Sequence, residues 1–156
     1  MKSVKFFTEN PEYFDIAKSY AEAGDLTTLK KYIMEALRLT PPGPMLIRYA
    51  EKDYVISKGT VRETLIPKGT SVLLGIYSAM KDPEVIPDPE KIVLGRPDNS
   101  YFLFGYGHHK CAGDQLATEE LSILMSALLQ KPNLKYINRD KNSVFPEERY
   151  IQYDKK

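Results

Sequence analysis

Phe104-Gly105-Tyr106-Gly107-His108-His109-Lys110-Cys111-Ala112-Gly113 is the stretch on which the reading turns, and helix-forming sequence over residues 114–130 follows it directly. It sets the single cysteine of the chain in a glycine-rich loop just ahead of a helix N-terminus. The positive end of the helix dipole, together with the neighbouring His109 and Lys110, favours the thiolate. Gly105, Gly107 and Gly113 let the backbone approach something large and flat that side chains would otherwise block. A thiolate presented this way is a nucleophile or a metal ligand. Plainer readings compete with these. A lone cysteine is most often a small buried hydrophobe. A zinc site from His108, His109 and Cys111 lacks a fourth ligand, and the sequence holds no second cluster at structural-zinc spacing. A Cys–His nucleophile pair is cramped at this spacing and has no third group to orient its base.

The rest of the chain sets bounds on these options. Its 156 residues suit one domain, and a chain of that size buries roughly 68–70% of its unfolded surface. Twenty-two Lys and Arg against 21 Asp and Glu leave a formal charge of +1, which argues against a nucleic-acid partner. With 42% hydrophobic and 28% charged residues, disorder is not expected. One cysteine excludes an internal disulfide framework and suits a reducing compartment, so a cytoplasmic location is expected. The longest mostly apolar stretch, residues 121–129, is far too short for a transmembrane segment. Residues 1–7 run straight into acidic, Pro-containing sequence without the pattern of a signal peptide.

Local signals then predict the elements. A first helix is expected over residues 11–23, ended by Gly24, and Asp25 caps a second over residues 26–39. Thr40-Pro41-Pro42-Gly43-Pro44 stops it, because proline cannot continue a helix. Four β-rich pieces follow, at residues 45–50, 54–57, 61–66 and 70–74. Pro67-Lys68-Gly69 is placed for a tight turn and predicts that the last two form a hairpin. Prolines 83, 87, 89 and 97 make residues 82–100 a long irregular meander, of a kind usually functional or pinned by something. In the helix after the cysteine, Ala117, Leu121, Leu124 and Leu128 make a stripe for burial. Residues 133–137 and 150–153 are expected as two closing strands, and the fold class as α+β.

Phe104-x-x-Gly107-x-x-x-Cys111-x-Gly113, with Gly105 and the basic His109, resembles the haem-binding signature of the cytochrome P-450 family. The resemblance implies haem b, with Cys111 as axial ligand of its iron and the only metal ligand in the chain. It also implies that His109 contacts a haem propionate, and that Phe104, Gly107 and Gly113 complete the cofactor-binding loop. Upstream, Glu35-Ala36-Leu37-Arg38-Leu39-Thr40-Pro41-Pro42 resembles the Glu-x-x-Arg helix of the same family. Periodicity alone makes Glu35 and Arg38 a surface pair, since Leu26, Leu29, Ile33 and Leu37 mark the opposite face. The family instead buries the pair under the cysteine loop, held by an arginine from the meander, and apolar Met34 and Leu39 flank it as that requires. Ile66-Pro67-Lys68-Gly69-Thr70 and the meander from Lys81 to Lys91 fit the same order.

The chain departs from that pattern in two places. Lys91 stands at the meander position where the family usually has its arginine, and lysine lacks the fork geometry; Arg96, five residues on, is not the expected substitute. What resembles the family is only the C-terminal part of its fold, so residues 1–156 read as one partial haem-thiolate domain without the distal-side helices. Pro87-Asp88-Pro89-Glu90, residues 96–101 and the ending Phe145-Pro146…Tyr150-Ile151-Gln152-Tyr153-Asp154 look like the C-terminal domain of psi-factor-producing oxygenases and linoleate diol synthases. There a peroxidase-like dioxygenase domain precedes the haem-thiolate domain, which rearranges fatty-acid hydroperoxides. The expected function is therefore a haem-thiolate oxidoreductase, monooxygenase-like or hydroperoxide-rearranging, with a lipid substrate and an upstream dioxygenase domain or chain as partners. The alternative is a truncated paralogue or gene fragment that binds haem weakly or not at all and has no turnover.

Overall fold

The computed structural model describes residues 2–138 and 149–155. Four helices, α1 (Lys2–Glu9), α2 (Pro11–Glu22), α3 (Leu26–Leu39) and α5 (Asp114–Leu129), pack together, α2 and α3 touching each other and both α1 and α5, with a single-turn α4 (Ile76–Ala79) apart from them. Three two-stranded antiparallel ribbons accompany them: β1 (Leu46–Tyr49) with β4 (Ser71–Leu74), β2 (Tyr54–Ile56) with β3 (Thr64–Ile66), and β5 (Lys135–Asn138) with β6 (Arg149–Gln152). The α+β class and the two closing strands stand as read from the sequence. Phe145-Pro146 lies outside the described residues.

Helix α1 is an addition to the expected elements. Eight residues are too few to be helical on propensity alone, and α1 is held by burying Val4, Phe6 and Phe7 against α3 and β5. Asn10 closes it by donating from its side-chain amide to the Phe6 carbonyl at 2.7 Å, and Pro11 opens α2 in the first helical turn, where proline is tolerated. The expected cap of α3 is present: the Asp25 carboxylate accepts from the Thr28 N–H at 3.0 Å. Phe6, Phe7, Tyr13, Tyr20 and Tyr32 form an aromatic cluster where α1, α2 and α3 meet.

Two expectations are corrected. Residues 61–66 and 70–74 do not pair with each other: β3 pairs back on β2, and β4 on β1. The Pro67-Lys68-Gly69 turn forms, with Thr70 donating to the Pro67 carbonyl and Gly69 at φ +84°. It hands the chain from one ribbon to the next, because Ala50 captures both Gly69 and Thr70 by backbone hydrogen bonds. The second correction concerns α5, whose buried residues are Ser122, Met125 and Leu129, with Leu121 and Leu128 half-buried and Ala117 and Leu124 exposed. The helix is apolar around most of its circumference, so periodicity could not choose which face meets α2 and α3. Among the described residues no helix is long and apolar enough to cross a membrane.

Candidate functional site

Glu35 and Arg38, on the last turns of α3, are fully buried. The surface placement suggested by the leucine periodicity is thereby corrected, because nearly every face of α3 after Leu29 is covered. Arg38 donates from Nε and Nη2 to the two carboxylate oxygens of Glu35 at 2.8 and 3.0 Å. Its other N–H groups reach the carbonyls of Met80 at 2.9 Å, Pro89 at 2.7 Å and Lys91 at 2.9 Å. All five guanidinium donors are thus used. Glu35 Oε2 also accepts from the Val93 N–H and from Arg96 Nε, each at 3.0 Å.

Arg96 is the meander arginine that the sequence seemed to lack. Its side chain is buried, and it braces the carbonyls of Pro87 at 2.6 Å and Asp88 at 2.9 Å as well as Glu35. Lys91, by contrast, points into solvent and pairs with Asp88; only its backbone carbonyl joins the cluster. The expectation against Arg96 is therefore wrong, and the fork geometry explains why: one planar cation serves a carboxylate and two carbonyls at once. Burial pushes the Glu35 carboxyl up, yet the hydrogen bonds from Arg38, Val93 and Arg96 outweigh it and hold the group below the usual carboxylate range. The half-buried Tyr101 phenol is pushed up by burial first and by the Glu35 charge beside it second.

Met80 connects this cluster to the cysteine loop. It is fully buried; its carbonyl accepts from Arg38, and its sulfur accepts from the Phe102 N–H at 3.4 Å. The Phe102 carbonyl in turn takes the Gly105 N–H at 3.1 Å, and the Phe104 carbonyl takes the Cys111 N–H at 2.7 Å. Gly105 sits at φ +79°, where a Cβ would lie 2.7 Å from the His109 carbonyl oxygen, so only glycine closes the loop this tightly. Gly107 is also left-handed, at φ +61°. At Gly113 a Cβ would stand 3.9 Å from the Cys111 sulfur, so a larger side chain would crowd the thiol from the helix side.

Cys111 is an exposed free thiol, not a buried hydrophobe. Lys110 does not serve its sulfur, because its ammonium is committed to Asp114 at 2.6 Å. Among the described residues no three His, Cys, Asp or Glu side chains are grouped so as to hold a metal ion. A cavity of about 450 Å³ is lined by Leu46, Arg48, Leu74, Ile76, Ala79 and Phe102 and, from the loop itself, by Gly105, Tyr106 and His109. Arg48 was not singled out from the sequence. It shares a face with Leu46 and Leu74 on the β1–β4 ribbon, a placement that follows only from the strand register. An apolar recess with two side chains able to donate to carboxylates, lined in part by the loop that bears an exposed thiol, fits a flat hydrophobic cofactor that carries both an acid edge and a thiophilic metal.

A family model described as Cytochrome P450 matches residues 11–152. The chain is 34% identical to psi-producing oxygenase A of Emericella nidulans over 92% of its own length and 15% of that protein's. It is 38% identical to linoleate diol synthase of Gaeumannomyces graminis over 49% of its length and 6% of that protein's. Among solved structures, P450BioI bound to an acyl carrier protein carrying hexadec-9Z-enoic acid superposes with a TM-score of 0.73 at 26% identity, over 98% of this chain and 39% of that one. The fold is that of the haem-dependent P450 architecture, present in part. This chain belongs to the cytochrome P450 family, and it spans a minor share of the length of the relatives it matches.

Two measurements check the cluster. Glu35→Ala leaves Arg38 buried without its counter-charge and lowers unfolding free energy by about 3–5 kcal/mol in chemical denaturation, whereas Lys91→Ala stays within about 0.5 kcal/mol. A carboxyl held low in the folded state adds stability that is fully present above its unfolded value of about 4.3 and is lost as pH falls through the lower folded value. Glu35→Gln should therefore flatten the loss of stability below about pH 4.3, and an unchanged acid limb would contradict the assignment.

Proposed function

We propose that this chain is the cysteine-loop portion of a haem-thiolate oxidoreductase, with Cys111 as axial ligand of haem b. The observation that carries the reading is an exposed Cys111 thiol on the same loop whose Gly105, Tyr106 and His109 line, together with Arg48, a largely apolar cavity. Arg48 and His109 would hold the two propionates, and Leu46, Leu74, Ile76, Ala79 and Phe102 would exclude water from the macrocycle edge. The Phe104 carbonyl and Gly105 close the loop that carries Cys111, and Gly107 and Gly113 would leave room for the macrocycle. When bound, haem supplies an iron centre whose thiolate ligand donates electron density for oxygen chemistry. Glu35 and Arg38 act at a distance, as positioning residues for the loop.

Similarity to psi-producing oxygenase A and linoleate diol synthase favours a lipid substrate, specifically a fatty-acid hydroperoxide supplied by an upstream dioxygenase domain or chain. A hydroperoxide brings its own oxygen, so no NADPH or reductase is needed. The openness of Cys111 to solvent favours a second reading, haem binding without turnover, because water exclusion and substrate positioning need more polypeptide than these residues supply.

Haem-loaded protein, reduced and treated with carbon monoxide, should give the strongly red-shifted Soret band of thiolate ligation, absent in Cys111→Ser. An imidazole-type spectrum would overturn the ligation. The same protein should consume an unsaturated fatty-acid hydroperoxide faster than free haem and without NADPH. Rates no better than free haem favour the second reading, and strict dependence on NADPH with a reductase favours monooxygenation.

A further inference from the structure

Tyr101 opens the segment that carries Cys111, and its phenol lies half-buried against Glu35. Two backbone anchors put it there. The Tyr101 N–H closes a short turn by donating to the Asp98 carbonyl at 3.1 Å, and Ser100 inside that turn is buried. The next N–H, of Phe102, is bonded to the sulfur of Met80, whose carbonyl Arg38 holds. Between these anchors the side chain turns toward the ion-pair cluster, and its hydroxyl hydrogen-bonds the Glu35 carboxylate. Oε2 of Glu35 already takes N–H groups of Arg38, Val93 and Arg96, whereas Oε1 takes Arg38 Nε, so Oε1 is the oxygen with room for a hydroxyl. Other polar side chains of the segment are placed elsewhere: Lys110 pairs with Asp114, His108 is exposed, and Tyr106 and His109 line the cavity.

We propose that Tyr101 is a positioning residue for the Cys111 ligand, a hydroxyl strap from the cysteine segment to the buried Glu35 carboxylate. Arg38 and Arg96 use Glu35 to hold the meander, and the phenol extends the hold of the same carboxylate onto the chain leading into Phe104 and Gly105. The strap requires a neutral phenol and an ionised carboxylate. Glu35, Arg38 and Arg96 are the charged groups that face the phenol, and burial with the Glu35 charge pushes it up more than the two arginines pull it down. The hydrogen bonds on Glu35 hold that carboxyl low, so both required forms coexist at neutral pH. In alkali a phenolate would stand against the carboxylate, and the strap would release. The ligand role rests on the haem-thiolate reading, whereas the strap itself belongs to the protein without haem.

Tyr101→Phe keeps the ring and removes the hydroxyl. In the protein without haem, amide exchange at Gly105 and Cys111 should quicken about tenfold or more, as loss of a hydrogen bond to a charged group does. The α3 amides before Glu35 should keep their wild-type rates. Tyr54→Phe, which alters an exposed phenol on β2, should exchange as wild type, and circular dichroism checks that each variant is folded. A phenol held high adds stability that is fully present below its unfolded value of about 10 and is lost as pH rises through the higher folded value. Tyr101→Phe should therefore lose less stability in alkali than wild type; Tyr32, pushed up to about 12 by burial, is common to both. In a Glu35→Gln background the same substitution should change Gly105 exchange by less than about threefold, because coupled partners are not additive. Unchanged exchange at Gly105 and Cys111, equal quickening of the α3 amides, or the same effect in both Glu35 backgrounds would each overturn the strap. With haem bound, the red-shifted carbon-monoxide band of Tyr101→Phe should decay several times faster than that of wild type, and equal decay would overturn the ligand role. Cys111→Ser should keep wild-type exchange at Gly105, which separates the strap from the iron assignment.

Discussion

One buried carboxylate organises the described part of this molecule. Glu35 receives two hydrogen bonds from Arg38, one from Arg96 and one from the Val93 backbone, with no contact to water. Buried ion pairs are weak evidence for stability in themselves, because desolvation offsets much of the attraction. Their value here lies in what the two guanidinium groups do with their remaining donors. Arg38 and Arg96 together hold the carbonyls of Met80, Pro87, Asp88, Pro89 and Lys91. That stretch contains no helix or strand to satisfy its own backbone, so the arginines replace the missing secondary structure. Asp88, held at φ +47°, turns its carbonyl to Arg96 in a conformation that few residue types adopt.

The consequence reaches the thiol by short steps. Arg38 fixes Met80, Met80 receives Phe102, and Phe102 anchors the turn at Gly105 from which the cysteine loop departs. The loop closes on itself with a clearance that admits no side chain at Gly105. Cys111 is thus presented by a rigid backbone ahead of α5, and its exposure is a property of the loop rather than of a disordered tip. The cavity edge follows from the other side: strand alternation turns Leu46, Arg48 and Leu74 toward it, while Ile47 and Leu73 face outward.

Much of this was legible in the residues. The glycine spacing around Cys111, the Asp25 cap and the Pro41-Pro42 stop are local signals, and each is read from its own few residues. What escaped was set by contacts remote in sequence. Helix α1 exists because Phe7 stacks with Tyr32, which no pattern within residues 2–9 announces. Pairing of β3 with β2 and of β4 with β1 depends on Ala50 bridging the turn. Arg96 has the fork that Lys91 lacks, but it lies five residues past the expected position, and only the fold of the meander brings it to Glu35, Pro87 and Asp88 at once. Arg48 and Met80 carry no local mark at all.

The Glu35 cluster holds the cysteine loop in place through the meander and through Met80, which the same cluster fixes. Amide hydrogen exchange at Cys111, whose N–H is bonded to the Phe104 carbonyl at 2.7 Å, reads this directly in the protein without haem. Arg96→Gln removes the charge and the fork but leaves the loop sequence untouched, and it should strip the Cys111 amide of most of its protection while the α3 amides before Glu35 keep theirs. Unchanged protection at Cys111 in a variant whose meander amides have opened would contradict the account.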